Sequence, residues 1–328
     1  MTKSKENSDE MNRKNHTSKT QFSVRKPRCP VNYTGVKYET TEIIYILMWS
    51  KRYYRPWQVE KQRIFIENEC PYTNCYFTVN RKLFGGDISR FDAVIFESSH
   101  FSRKHGKLQM PQVRSPKQKY IFYSMESAHR FPSCDETYDN FFNWTITYRL
   151  NSDIVYTYFH IKNSNGEIVG PKRNMEWIVD MENIDKHLEQ IIRNKTKAAA
   201  WFVSFCSTAN DRDDFVSDLQ EHLSKYNLTV DIYGKCGPLK CPRSQSDVCN
   251  AMLEKDYYFY MALENSFDED YVTEKILTAW VVHRRPRVLS LRPGRYYVWS
   301  DAVPDGVQSV LQMEEILHIS QFNETQHL

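Results

Sequence analysis

The sequence predicts an α/β protein made of two Rossmann-like halves that face each other across a cleft. Three observations carry this. Short apolar runs of strand length recur along the chain, amphipathic helical patterns separate several of them, and a turn-rich stretch, "NGEIVGPKRN" (Asn165 to Asn174), divides the series in two. Alternating strands and helices indicate parallel sheets, whose ligands bind beyond the carboxyl ends of the strands.

In the first half the strand candidates are "TEIIYILMW" (Thr41 to Trp49), "CYFTVN" (Cys75 to Asn80), "FDAVIFESS" (Phe91 to Ser99) and the start of "KQKYIFYSMESAHR" (Lys117 to Arg130). The second half opens with "KAAAWFVSF" (Lys197 to Phe205). In the helix that follows, Phe215, Val216, Leu219 and Leu223 share one face. "LTVDIYG" (Leu228 to Gly234) and "YYFYMAL" (Tyr257 to Leu263) are the next strands. Val272, Ile276, Leu277, Trp280 and Val281 then fall at helical spacing, with Asp270 placed as an N-cap. The implied division is a basic, disordered leader or stem over 1–38, a first domain over 39–170, a linker over 171–196 and a second domain over 197–328.

Composition bounds the function. The 328 residues carry a formal charge of +3, but residues 1–28 hold eight Lys or Arg against three acids, which leaves 36 basic and 38 acidic residues in the rest. A near-neutral folded part has no stripe for nucleic acid. No apolar run reaches the length of a membrane span, so the sequence as written shows neither an anchor nor a signal peptide. Eight cysteines, without zinc spacing, and six N-x-S/T sequons (Asn15, Asn32, Asn143, Asn194, Asn227, Asn323) favour disulfides in a secretory lumen, with the pairing left open.

"ENSFDEDYVTEK" (Glu264 to Lys275) sets the chemical question. It places Lys275 in or near the first turn of a helix, where the macrodipole disfavours a cation by roughly 0.3–1 kcal/mol. An anion offsets that, and free N–H groups beside a lysine suit phosphate; the plainer alternative is a surface lysine with a carboxylate neighbour. Arg212, at the start of the helix after "WFVSF", adds a second cation at the same predicted sheet edge, so the two can converge on one pyrophosphate. Glu126 follows the strand "YIFYSM", at the edge of the opposing half, as a candidate general base. The acids Asp268 to Asp270 suggest a D-x-D metal site, but a helix N-terminus accounts for them without a metal.

These segments resemble the α1,3-fucosyltransferases of glycosyltransferase family ten. "FYMALENSFDEDYVTEK" carries the resemblance, and "YSMESAHR", "FFNWTITYRLNSDIVYTY", "KAAAWFVSFCSTANDR" and "VDIYGKCG" follow in family order over about residues 40–280. "GKCGPLKCPRS" is most similar to the invertebrate and plant branch that fucosylates the N-glycan core. The resemblance implies a GT-B architecture, GDP-fucose as donor, a glycoprotein N-glycan as acceptor, inversion, no metal needed for chemistry though Mn2+ can stimulate, and residence in the Golgi lumen as a type II membrane protein. It implies Glu126 as catalytic base, with Tyr158, Arg212, Tyr260, Asn265, Tyr271, Glu274 and Lys275 around GDP-fucose. Glu274 accepts from ribose hydroxyls, while Arg212 and Lys275 neutralise the departing diphosphate.

The sequence departs from the family pattern in three respects. Ala128 stands where "ESP" has proline, and Phe205 where "SNC" has asparagine. After Trp280 the pattern loosens, with Tyr296 its nearest match; the chain reads as lacking the family's membrane anchor and its terminal helices and cysteine pair. A GDP- or glycan-binding relative without catalysis is the alternative this raises.

Overall fold

The computed structural model describes residues 21–24, 42–50, 61–68, 70–101, 110–132, 135–163, 165–174, 186–282, 288–292 and 295–299. Tyr296 lies within them, in the backbone of a strand.

The first half is a parallel sheet. Strands β2 (Ile44–Met48), β3 (Cys75–Thr78), β4 (Ala93–Glu97), β5 (Lys119–Ser124), β6 (Trp144–Thr147) and β7 (Ile154–Val155) are arranged in the order β3-β2-β4-β5-β6-β7, every pairing parallel. All five side chains of β4 are buried, which explains its unbroken apolar run: a central parallel strand is covered on both faces. One side carries Met48, Phe77, Ile95, Ile121 and Tyr123; the other carries Leu47, Trp49, Val94, Phe96 and Tyr120. The helix α1 (Arg63–Glu67) contributes Ile64 to the former.

The second half repeats the principle. Strands β10 (Lys197–Phe202), β11 (Val230–Tyr233) and β12 (Tyr257–Met261) pair in parallel, and β13 (Val288–Arg292) and β14 (Arg295–Trp299) extend the sheet in the order β11-β10-β12-β13-β14, the last pairing antiparallel. The predicted face of α3 (Arg212–Ser224) is the packed one: Val216, Leu219 and Leu223 are buried and Phe215 half-buried against Trp201 and Phe259. Helix α4 (Ser246–Asp256) sends Leu253 to the other side of the sheet, among Ala200, Tyr233 and Tyr260. Helix α5 spans Lys275–Val282.

Between the halves the turn-rich stretch is partly structured. A three-stranded antiparallel sheet joins β1 (Gln21–Val24), β8 (Phe159–Lys162) and β9 (Ile168–Gly170), so residues 21–24, within the stretch expected to be a disordered leader, pair with β8. Helix α2 (Lys186–Arg193) lies in the expected linker. Among the described residues no helix is long and apolar enough to cross a membrane. Two disulfides close loops of the second half, Cys206–Cys236 and Cys241–Cys249. Cys70 is also disulfide-bonded, while Cys75 is a free thiol.

Candidate active site

The site lies where the carboxyl edges of the two parallel sheets meet. On the second-half side, β12 runs out into Ala262, Leu263 and Glu264, all buried. Glu264 folds the next eleven residues into a loop. Its carboxylate accepts from the Thr273 N–H at 2.8 Å, the Thr273 hydroxyl at 2.9 Å and the Lys275 ammonium at 2.8 Å. Lys275 also donates to Thr273 Oγ1 at 2.8 Å, and Glu274 Oε1 lies 3.9 Å away. An ammonium has three donors, so one remains for a ligand. Lys275 opens α5, as the sequence predicts, and the buried carboxylate offsets the unfavourable dipole.

Arg212 opens α3 beside this loop. Its guanidinium donates to the carbonyls of Leu263 at 2.8 Å and Phe205 at 2.6 Å, and its Nε–H has no hydrogen-bond partner. Only 2% of the residue is exposed, and burial lowers its pKa, with Asp213 and Glu264 pulling the other way. Asn210 adds a bond from Nδ2 to the Glu264 carbonyl at 3.0 Å.

From the first half, β5 ends at Ser124 and leads into Met125 and Glu126. Ser124 Oγ donates to the Glu126 carbonyl at 2.8 Å, turning the backbone so that the carboxylate faces the second half. There the Tyr271 hydroxyl donates to Glu126 Oε2 at 3.2 Å, and Arg130 Nε lies 3.7 Å from the same oxygen. Burial pushes the Glu126 carboxyl up; Arg130, the Tyr271 bond and the charge of Lys275 draw it partly back. The Tyr158 hydroxyl donates to the Met125 carbonyl, and its ring stands 6.2 Å from that of Tyr271. Burial raises the pKa of both phenols, Glu126 and Tyr271 adding to the effect on Tyr158.

Both halves have counterparts in known proteins. Residues 41–159 match the family model for the fucosyltransferase N-terminal region, and residues 192–328 match that for the glycosyltransferase family 10 (fucosyltransferase) C-terminal region. The chain belongs to glycosyltransferase family 10, the fucosyltransferases. It is similar to α-(1,3)-fucosyltransferase C of Drosophila melanogaster, at 34% identity over 71% of this chain and 55% of that one. It is also similar to glycoprotein 3-α-L-fucosyltransferase A of the same fly, at 32% over 82% and 47%, and to α-(1,3)-fucosyltransferase fut-1 of Caenorhabditis elegans, at 29% over 90% and 61%. The chain thus spans about half the length of the curated relatives it matches. The second family match runs to residue 328, through the part where the sequence pattern loosens.

Within this fucosyltransferase fold the expected site residues fall into a group of five, one loop residue and a buried pair. Glu126, Tyr158, Tyr271, Glu274 and Lys275 form one electrostatic neighbourhood across the two halves, with Glu274 exposed at its rim. Asn265 is half-buried in the Glu264 loop, where its Oδ1 accepts a long bond of 3.3 Å from Ser266 Oγ. Arg212 and Tyr260 lie beneath this surface. Tyr260 is a core residue of β12, 5.7 Å from the ring of Phe202, and burial pushes its phenol up to about 12.

Two readings of the loop are corrected. Asp270 is no N-cap, because α5 starts five residues later; its carboxylate accepts from the Leu150 N–H at 3.0 Å, in the other half. Nor does a helix terminus account for the acid triplet. Asp268 accepts from the Ala128 N–H at 2.9 Å and the Tyr148 hydroxyl at 2.7 Å, and Glu269 pairs with Arg149. All three acids reach across to the first half. Sequence reasoning passed over Glu264 and Arg130, and it read Asp268 as a metal or helix-terminus acid, not as a contact to the first half. For Glu264 and Asp268 the signal is an excess of carboxylates in one loop, a pattern that does not name its partners; Arg130 has only its place four residues after Glu126.

Proposed function

We propose that the chain is an inverting α1,3-fucosyltransferase of GT-B architecture, moving L-fucose from GDP-fucose to the 3-hydroxyl of N-acetylglucosamine in glycoprotein glycans, with the N-glycan core as acceptor. The observation that carries this is the disposition of charge: the half-buried carboxylate of Glu126 projects from one sheet edge while Lys275, with a donor to spare, stands on the other. Relatives named fucosyltransferases, one of them a glycoprotein 3-α-L-fucosyltransferase, support the substrate class.

In this reading Glu126 takes the proton of the acceptor hydroxyl as that oxygen attacks C1 of fucose. The bond from C1 to the diphosphate oxygen breaks on the opposite face, and GDP leaves with the electron pair. Raised proton affinity suits a base that must hold a proton at the transition state. Lys275 meets the developing charge with its remaining N–H, and Arg212 contributes its field and an unpartnered Nε–H from beneath. Tyr158 and Tyr271 wall the site, Asn265 and Glu274 lie within reach of the nucleoside, and Tyr260 supports the strand under it. Positive charge for the leaving group comes from these side chains, so the reading gives no metal a chemical step; Mn2+ has a stimulatory part at most. The disulfides fit an oxidising compartment, and the reading places the enzyme in the Golgi lumen.

The test is calorimetric titration with GDP, then transfer from GDP-fucose to an N-glycan core acceptor by the same preparation. Binding with transfer is expected. Binding without transfer supports the noncatalytic alternative, and a folded chain that binds no GDP overturns the reading.

A further inference from the structure

The first-half turn that carries Glu126 is held by groups from the second half as well as by its own sheet. Ser127 Oγ lies 2.5 Å from Ser266 Oγ, and both residues are buried. One residue on, the Ala128 N–H donates to Asp268 Oδ2 at 2.9 Å. The same carboxylate oxygen takes the Tyr148 hydroxyl at 2.7 Å, and Arg149 Nη1 stands 3.5 Å from Asp268 Oδ1. Tyr148 packs edge-on against Tyr271, ring centroids 4.9 Å apart, and Tyr271 donates to Glu126.

We infer that Asp268 is a positioning residue for the transfer reaction: its carboxylate gathers the Ala128 N–H, the Tyr148 hydroxyl and Arg149, and so fixes the Glu126 turn and the Tyr271 ring in one geometry. This rests on Glu126 being the base. Asp268 touches neither the Glu126 carboxylate nor the Lys275 ammonium in the described contacts; it acts by closing the joint between the sheets. A carboxylate serves here because one group can accept from a backbone N–H and a phenol while opposing a guanidinium. Closure also keeps Glu126 half-buried. The groups acting on it are Arg130 from its own turn and Tyr271, Lys275 and Glu274 from the facing loop, and none of these is removed by changing Asp268.

The experiment uses Asp268→Ala and Tyr148→Phe in the full chain. Phenylalanine at 148 keeps a ring against Tyr271 and removes the hydroxyl that donates to Asp268. Turnover of Asp268→Ala is expected to fall about 10- to 100-fold, as a small displacement of a reacting group does. GDP affinity stays within about twofold, the level of a site whose phosphate contacts are intact. The acid limb of the pH–rate profile moves to lower pH as Glu126 becomes more hydrated. Tyr148→Phe shifts the same readouts in the same direction by less. An unchanged turnover, a fall with an unmoved acid limb, or a parallel loss of GDP affinity overturns the proposal. Where Asp268→Ala does not fold, Tyr148→Phe decides alone. Hydrogen exchange over residues 124–131 separates this proposal from the base assignment. Faster exchange in the variants supports the hold by Asp268 even if Glu126→Gln retains turnover, and unchanged exchange overturns it.

Discussion

At the residue scale the proposed reaction divides its two ends between Glu126 and Lys275, and their variants are expected to separate. Glu126→Gln keeps the size and the Tyr271 contact but removes the base, so turnover falls roughly 10²- to 10⁴-fold while GDP affinity, read by calorimetry, is unchanged. Lys275→Ala weakens GDP binding, and because Glu264 then keeps only its Thr273 bonds, it also lowers stability by about 1–3 kcal/mol in a urea titration. Equal loss of GDP affinity in both variants contradicts this division. The pH dependence follows from burial. As the proposed base Glu126 must be ionised to act, and its pKa is raised, so kcat/KM is expected to fall as the pH drops through a value above the ordinary glutamate pKa of about 4.3. Glu126 and Lys275 were legible in the sequence because each sits at an element boundary, one after a strand and one at a helix start. Glu264 was not, because a carboxylate that binds residues nine and eleven positions later fits no helical or strand period.

At the scale of elements, the carboxyl edge of the second sheet is made by loops that approach closely. Gly234, at φ +108°, follows β11, and a Cβ there meets the Val203 carbonyl oxygen at 2.4 Å. Beside this contact the Cys206–Cys236 disulfide ties the loop after β10 to the loop after β11. The first of these loops holds Phe205, whose ring takes the Arg130 guanidinium at 4.8 Å and whose carbonyl takes Arg212. The bridge closes a segment of 30 residues, so replacing both cysteines by serine is expected to cost about 3–4 kcal/mol, read as a lower urea midpoint. Turnover at low denaturant should fall too, since Arg130 borders Glu126. A variant with unchanged midpoint shows that the loops are held by their other contacts. Disulfide chemistry was legible from the number and spacing of cysteines. The pairing was not, since eight thiols admit 105 arrangements and only the sheet order brings Cys206 to Cys236.

At the scale of the whole molecule, alternating apolar runs and helical patterns disclosed the parallel sheets. Strand order stayed hidden, because an apolar run records burial and not its neighbour. The turn-rich stretch marked the passage between halves but concealed that β9 lies inside it, paired with β8. That division has an energetic counterpart. Among the described residues, each of the four apolar clusters draws its side chains from one half only, with residues 45–156 in two and 198–276 in the others. The described contacts that join the first half to the Glu264 loop are mostly polar: Ser127 with Ser266, Ala128 and Tyr148 with Asp268, Arg149 with Glu269, Leu150 with Asp270, and Glu126 with Tyr271. Separate cores with a polar joint unfold as separate units unless the joint is worth as much as a core, which a handful of hydrogen bonds at about 1 kcal/mol each is not. Scanning calorimetry is therefore expected to resolve two transitions. GDP at about 100 times its Kd stabilises the half that binds it by about 2.7 kcal/mol, so one transition should move and the other stay nearly fixed. Asp268→Ala should widen the interval between them. A single transition that GDP moves as a whole requires a joint far stronger than these contacts supply, and leaves the Glu126 turn and the Glu264 loop as parts of one cooperative unit.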